Sequence, residues 1–197
     1  MALDPISKRV TQLKTPLEVQ NYLYDFDYNP SAELQSALTT IRTGRAHCLE
    51  GVFVAASILE HHGFDAWCMS FESIDGLDHC LFVFQNQKGL WGSIGKSRDK
   101  GLHGRPAQFE TLEKLARSYE VPYVDHSGRI KAWQVAHLDE VGCDWRRSTR
   151  NVWAFENHLL KIKHHSLKSS DSKFKKIKDR YLKHGPPPPE KHWWYPK

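Results

Sequence analysis

From Arg45 to Phe64, "RAHCLEGVFVAASILEHHGF", apolar residues recur with a helical period, and directly afterwards the period becomes two. Cys48, Val52, Ala55, Ala56 and Leu59 fall at i, i+4, i+7, i+8 and i+11, one face of a helix. Gly51 and the alanines permit a close neighbour, and Gly63 is placed to close the helix. "FDAWCMSFES" then alternates as a strand, "IDG" reads as a turn, and "DHCLFVFQN" is a second strand with His79, Leu81 and Val83 on one face. "QKG" is a hairpin signal before a third strand in "LWGSIG". A buried helix followed by a strand meander predicts an α+β domain with an antiparallel sheet packed on that helix.

The flanks carry clearer boundary signals than faces. In "TPLEVQNYLYDFDYNP", Thr15 is an N-cap, Pro16 sits in the first turn, and Asn29-Pro30 predicts the helix end. "SAELQSALTTIRTG" is a second helix with Ser31 as cap and Gly44 as stop. "KSRDKGLHGRP", from Lys96 to Pro106, is a polar, glycine-containing loop of the kind that often carries function. "AQFETLEKLARSYEVPYVD" is expected to be a helix, "IKAWQVAHLDEV" a strand and turn, and "NVWAFENHLLKIKHHSLKS" places aromatic residues ahead of a basic helix. In that basic region Leu160, Leu167, Phe174, Ile177 and Tyr181 are expected to face the core. In "KHGPPPPEKHWWYPK" the prolines enforce extended chain, and Trp193, Trp194 and Tyr195 are expected to pin it to the body.

Composition narrows the setting. The 197 residues suit one medium domain, here divided into an α+β domain over 1–155 and a basic, Pro/Trp-rich tail over 156–197. Hydrophobic residues make up 40% and mean hydropathy is -0.60, so apolar residues are concentrated in a few segments. No apolar run approaches the roughly 18 residues of a membrane span. "MALDPISKRV" lacks a secretory pattern. The cytoplasm is therefore the expected compartment, with Cys48, Cys68, Cys80 and Cys143 as free thiols. The net charge of +5 gathers much of its excess between Lys161 and Lys197, which makes an acidic partner for the tail a possibility beside a merely solvated one.

The candidate chemistry is thiol chemistry. A thiol becomes a good nucleophile on losing its proton, and helix N-termini and nearby imidazolium favour that loss. Cys48 at a helix start would have partly positive amides beside it, and the same amides can donate to a developing oxyanion. His79, at the start of the second strand, supplies an imidazole to move the proton. Asp78 alternates to the other face and is a poor orienter for His79.

"HCLEGVFVAASILEHHGFDAWCMSF", "DHCLFVF" and "LWGSIGKS" together resemble the transglutaminase-like superfamily, whose core is papain-like, and more closely a bacterial transglutaminase-like family without an assigned substrate. The resemblance covers about residues 15 to 120. It implies a Cys–His–Asp triad with Cys48 as nucleophile and His79 as base, and thiol-dependent acyl transfer or amide or peptide hydrolysis through a thioester. The substrate implied is a protein, a peptide or a small amide, and no cofactor is needed. The third triad member usually follows a strand tryptophan. After Trp91 this chain has "GSIGKSRD", with no aspartate in that place, so Ser93 is the expected orienter, with Ser97 and Asp99 as alternatives.

Three other readings stay open. Four-ligand zinc favours Cys and His, but neighbours on a strand point apart, so His79 and Cys80 cannot share one ion without distortion, and neither CxxC nor HxxxH spacing occurs. The basic tail with Phe174 and Tyr181 has the composition of a nucleic-acid surface. Without the aspartate, the alternative to an enzyme is a catalytically degenerate transglutaminase-like fold acting as a binding or scaffold protein.

Overall fold

The computed structural model describes residues 4–124, 128–186 and 194. Three short helices precede the apolar segment. α1 (Pro5–Gln12) starts on an Asp4 cap, and α2 (Pro16–Tyr24) starts on Thr15, whose hydroxyl and Glu18 form a reciprocal capping box. α2 ends five residues before Asn29-Pro30, because Asp27–Tyr28 is drawn into a short strand, β1. α3 (Ala37–Thr43) is capped by Ser36 rather than Ser31, and stops at Gly44, whose φ of 66° suits a residue without a side chain. β2 (Arg45–Ala46) pairs in parallel with β1, Tyr28 opposite Ala46.

α4 (Cys48–Leu59) is the centre of the molecule. Every residue from Leu49 to Leu59 is buried, and a 3-10 turn over Glu60–His62 ends at Gly63 with φ 84°. The expected helical face is thus a full cylinder of core. Burying each Leu, Ile, Val or Phe there contributes about 1.5–3 kcal/mol. Phe53 packs between Trp145 and Phe155, each ring centroid 6.0 Å away.

The sheet follows the expected meander and then extends it. β3 (Trp67–Ser73), β4 (His79–Gln85), β5 (Trp91–Ile94), β6 (Arg105–Phe109), β7 (Ile130–His137) and β8 (His165–Ser166) form one antiparallel sheet in the order β6-β5-β4-β3-β7-β8. Alternation divides its core. Cys68, Cys80, Phe82 and Phe84 belong to the cluster around α4. Met69, Phe71, Leu81 and Val83 join Leu115, Ala116, Tyr119 and Tyr123 in the cluster around α5 (Leu112–Arg117). The fold is therefore α+β, with the central helix on one face of a six-stranded antiparallel sheet.

Two expectations about the later chain change. Ala107 to Phe109 belong to β6, an edge strand paired with β5, and the helix begins only after its Thr111 cap. The 155/156 boundary falls inside α6 (Trp153–Leu159), and the body continues beyond it: Leu159 and Leu167 are buried, and β8 pairs with β7. Leu160 is exposed. α7 (Asp171–His184) has no fully buried residue; Phe174, Ile177 and Tyr181 are half-buried along one side. Arg129 anchors its start through Asp171 and lies 4.9 Å over the Phe174 ring. Trp194 stacks on Phe84 at 6.1 Å, and its carbonyl accepts from the Tyr24 hydroxyl, so this residue of the tail does return to the body. Pro187 to Pro189, Trp193 and Tyr195 lie outside the described residues. Among the described residues no helix is long and apolar enough to cross a membrane.

Candidate active site

The start of α4 is held by a dense set of polar contacts. His47 is the N-cap, and its Nδ1 accepts from the Leu49 N–H at 3.3 Å. Glu50, fully buried, accepts from the backbone N–H of His47 at 2.9 Å, from that of Gln35 at 2.9 Å, and from Asn29 Nδ2 at 3.1 and 3.2 Å. A buried carboxylate persists only where donors saturate it, and these do. One side chain thereby ties the helix start to the β1 segment and to the approach to α3. The register of β1 on β2 sets Tyr28 beside the residues that lead into Cys48.

Cys48 is partly exposed at the first position of α4. Its thiol lies near enough to Cys80, His47 and His79 for each of them to act on its acidity. His79 and Cys80 are the first two residues of β4 and alternate across the sheet, and both act on the acidity of Cys48. The structure thus brings together Cys48 and His79, 31 positions apart in sequence.

The acidity of Cys48 runs against the simple helix-terminus argument. Its pKa is raised, first by the Cys80 thiol and then by burial, while His47 and His79 pull it down without prevailing. At Cys80 the strongest single influence is Cys48, which acts downward, but Cys68 and burial together prevail and push its pKa well up. The resting Cys48 is a neutral thiol. Burial works to lower the pKa of His47, but Cys48, then Glu50 and the Glu33 backbone, outweigh it and the pKa rises.

His79 is buried, and its Nε2 lies 2.9 Å from the carbonyl oxygen of Leu102. A carbonyl only accepts, so Nε2 carries the hydrogen and Nδ1 is left as the basic atom. Ser93 does not hold this imidazole. It lies opposite Val83 in the β4–β5 register, and its Oγ bonds to the Tyr119 hydroxyl at 2.8 Å and accepts from the Arg105 N–H at 3.1 Å. Ser97 gives its carbonyl to His103 and its Oγ to the Asp99 N–H. Asp78 accepts from the Ser73 N–H. The acceptor at His79 is a main-chain atom in the 3-10 turn over Lys100–Leu102.

The surroundings add residues that sequence reasoning missed. Tyr28 is close enough that its pKa is raised by burial and then by Cys48, and Arg98 from the long loop lies 5.1 Å over its ring. Tyr123 donates to the Leu77 carbonyl, and its pKa rises through burial, then Asp78 and Cys48. Neither tyrosine stands in a motif or a period, so only the β1–β2 pairing and the packing of the segment after α5 bring them here. Of the cations in the Lys96 to Arg105 loop, Lys96 and Arg105 are buried on backbone carbonyls, whereas Arg98 is exposed.

Among the described residues no group of three or more His, Cys, Asp or Glu is arranged to hold a metal ion. No protein-family model matches the chain, and no curated protein matches it.

Proposed function

We propose that the chain is a transglutaminase-like, papain-like cysteine enzyme that performs acyl transfer or amide or peptide hydrolysis through a thioester. The observation that carries this reading is that His79, held at Nε2 by the Leu102 carbonyl, lies near enough to Cys48 at the start of α4 to act on its acidity. Such an order gives a nucleophile, a base in a defined tautomer, and an orienter.

Because the resting thiol is neutral, proton transfer accompanies attack. As Cys48 Sγ bonds to the substrate carbonyl carbon, the thiol proton passes to His79 Nδ1. The carbonyl π bond opens to an oxyanion beside the Cys48 N–H at the helix start. Collapse re-forms the carbonyl, breaks the bond to the leaving amine and leaves a thioester, while His79 returns the proton to the amine. Water or a second amine then attacks the thioester with His79 again as base, and Cys48 leaves as the thiol. The imidazolium has a carbonyl dipole rather than a carboxylate behind it, which supports slower chemistry than a full triad. The substrate is a protein, peptide or small amide, no cofactor takes part, and the compartment is the cytoplasm. The exposed Lys175, Lys176, Arg180 and Lys183 of α7 form the surface for an acidic partner.

The test uses p-nitrophenyl acetate and intact-mass spectrometry. The reading expects a single acetyl group on Cys48, formed slowly in His79→Ala and absent in Cys48→Ala. Acetylation that is indifferent to both changes overturns it. A second reading, a degenerate fold serving as a scaffold, draws on the raised Cys48 pKa and expects no acyl adduct on Cys48.

A further inference from the structure

We propose that Arg105 is a positioning residue for His79, acting through the Leu102 carbonyl; this rests on the reading of His79 as the base. Arg105 has 0% of its surface exposed at the start of β6. Its guanidinium donates to the carbonyls of His103 at 2.8 Å, Gly104 at 3.2 Å and Gly101 at 2.7 Å, and its Cζ lies 4.0 Å over the Tyr119 ring. Of the four successive carbonyls from Gly101 to Gly104, three go to Arg105 and the remaining one, Leu102, goes to His79.

A second chain of bonds fixes the same turn. The Arg105 N–H donates to Ser93 Oγ at 3.1 Å, and the Tyr119 hydroxyl donates to the His103 carbonyl at 2.9 Å. Ser93 therefore donates to the Tyr119 oxygen at 2.8 Å, and the bonds run in one direction from Arg105 to His103. Gln20 closes the far side by accepting from the Gly104 and Gly95 N–H groups and donating to the Gly95 carbonyl. A guanidinium forks rigidly where an ammonium would satisfy fewer of these carbonyls in plane. A buried charge spent on one turn whose remaining carbonyl accepts from the base is what sets the imidazole's orientation. Ser93 belongs to this support and not to the imidazole.

The carbonyl holds the hydrogen on Nε2, so loosening it frees the ring to turn and takes Nδ1 away from the thiol. The experiment measures three quantities in the full chain: the His79 ring tautomer by nitrogen-15 NMR, the pH profile of Cys48 alkylation by iodoacetamide, and the thermal midpoint. Arg105→Lys and Tyr119→Phe are compared with the unchanged protein. The expected result is a mixture of tautomers at His79 in place of the Nε2–H form and a Cys48 rate reduced about fivefold near neutral pH. The Cys143 rate is expected to stay the same, and Tyr119→Phe to act in the same direction with smaller size. If Arg105→Lys does not fold, Tyr119→Phe decides. A folded variant with an unchanged His79 tautomer overturns the proposal. The His79 tautomer tests the clamp alone. A Cys48 rate unaffected by His79→Ala in the otherwise unchanged protein overturns instead the assignment of His79 as base.

Discussion

Cys80 stands beside Cys48 on the face of β4 that α4 covers, and its thiol is the largest influence keeping Cys48 protonated. The two imidazoles at the site act in the opposite direction and are outweighed. Removing the Cys80 sulfur should therefore release Cys48. Cys80→Ala is expected to lower the Cys48 pKa and raise its alkylation rate near neutral pH several-fold, at a stability cost of about 1 kcal/mol for the buried volume lost. Peptide-resolved alkylation against pH reads this directly. A rate that falls or stays unchanged contradicts the assigned cause.

Glu50 holds the helix start in place. Its four accepted hydrogen bonds come from groups that only donate, so an amide in its place would turn one end into a donor facing donors. Glu50→Gln is expected to cost about 2–3 kcal/mol in chemical denaturation. It should also slow Cys48 alkylation, because Cys48 lies two residues from it on the same turn. Stability within a few tenths of the unchanged protein would contradict this.

Lys96 closes the end of α2 from inside the protein. It is buried, and its ammonium donates to the Phe26 carbonyl and, at 3.5 Å, to that of Tyr24. Burial lowers its pKa, with Asp27 and Asp25 opposing. The unfolded chain therefore keeps this proton over a window in which the folded one has released it. In that window, from the folded pKa up to about 10.4, stability gains a component that rises with pH. Lys96→Met should remove this rising component and, by stranding two carbonyls, cost about 1–3 kcal/mol at neutral pH. Denaturation midpoints across mildly alkaline pH check both parts, and a Lys96→Met protein with the same pH slope contradicts the first.

What the sequence made legible follows from what each residue signals by its own type. The α4 helix, its close at Gly63 and the alternation that puts His79, Leu81 and Val83 on one face stand in the structure, because buried helices and strands are written in side-chain polarity, although α4 is buried all round and not along one face. Thr15 and Gly44 worked as boundary signals because capping geometry is local. The end of α2 did not, since Asp27 and Tyr28 were taken by a partner strand near residue 45. Ala107 to Phe109 carried a pattern compatible with a helix, and edge pairing with β5 decided otherwise. The orienting group at His79 had no signature at all: a backbone carbonyl is supplied by every residue, and only the turn held by Arg105 makes that of Leu102 special. Ser93, the side chain that sequence position favours, lies in the support behind that turn.

The central claim, that His79 takes the Cys48 proton, is tested most directly by site-resolved iodoacetamide alkylation of the four thiols from about pH 6 to about pH 10, with and without His79→Ala. The account predicts that near neutral pH Cys48 reacts faster than its raised pKa alone allows and faster than the partly exposed Cys143. It also predicts that His79→Ala lowers the Cys48 rate by at least about tenfold and leaves Cys143 unchanged. A Cys48 rate no greater than that of Cys143, or one that His79→Ala leaves untouched, contradicts it.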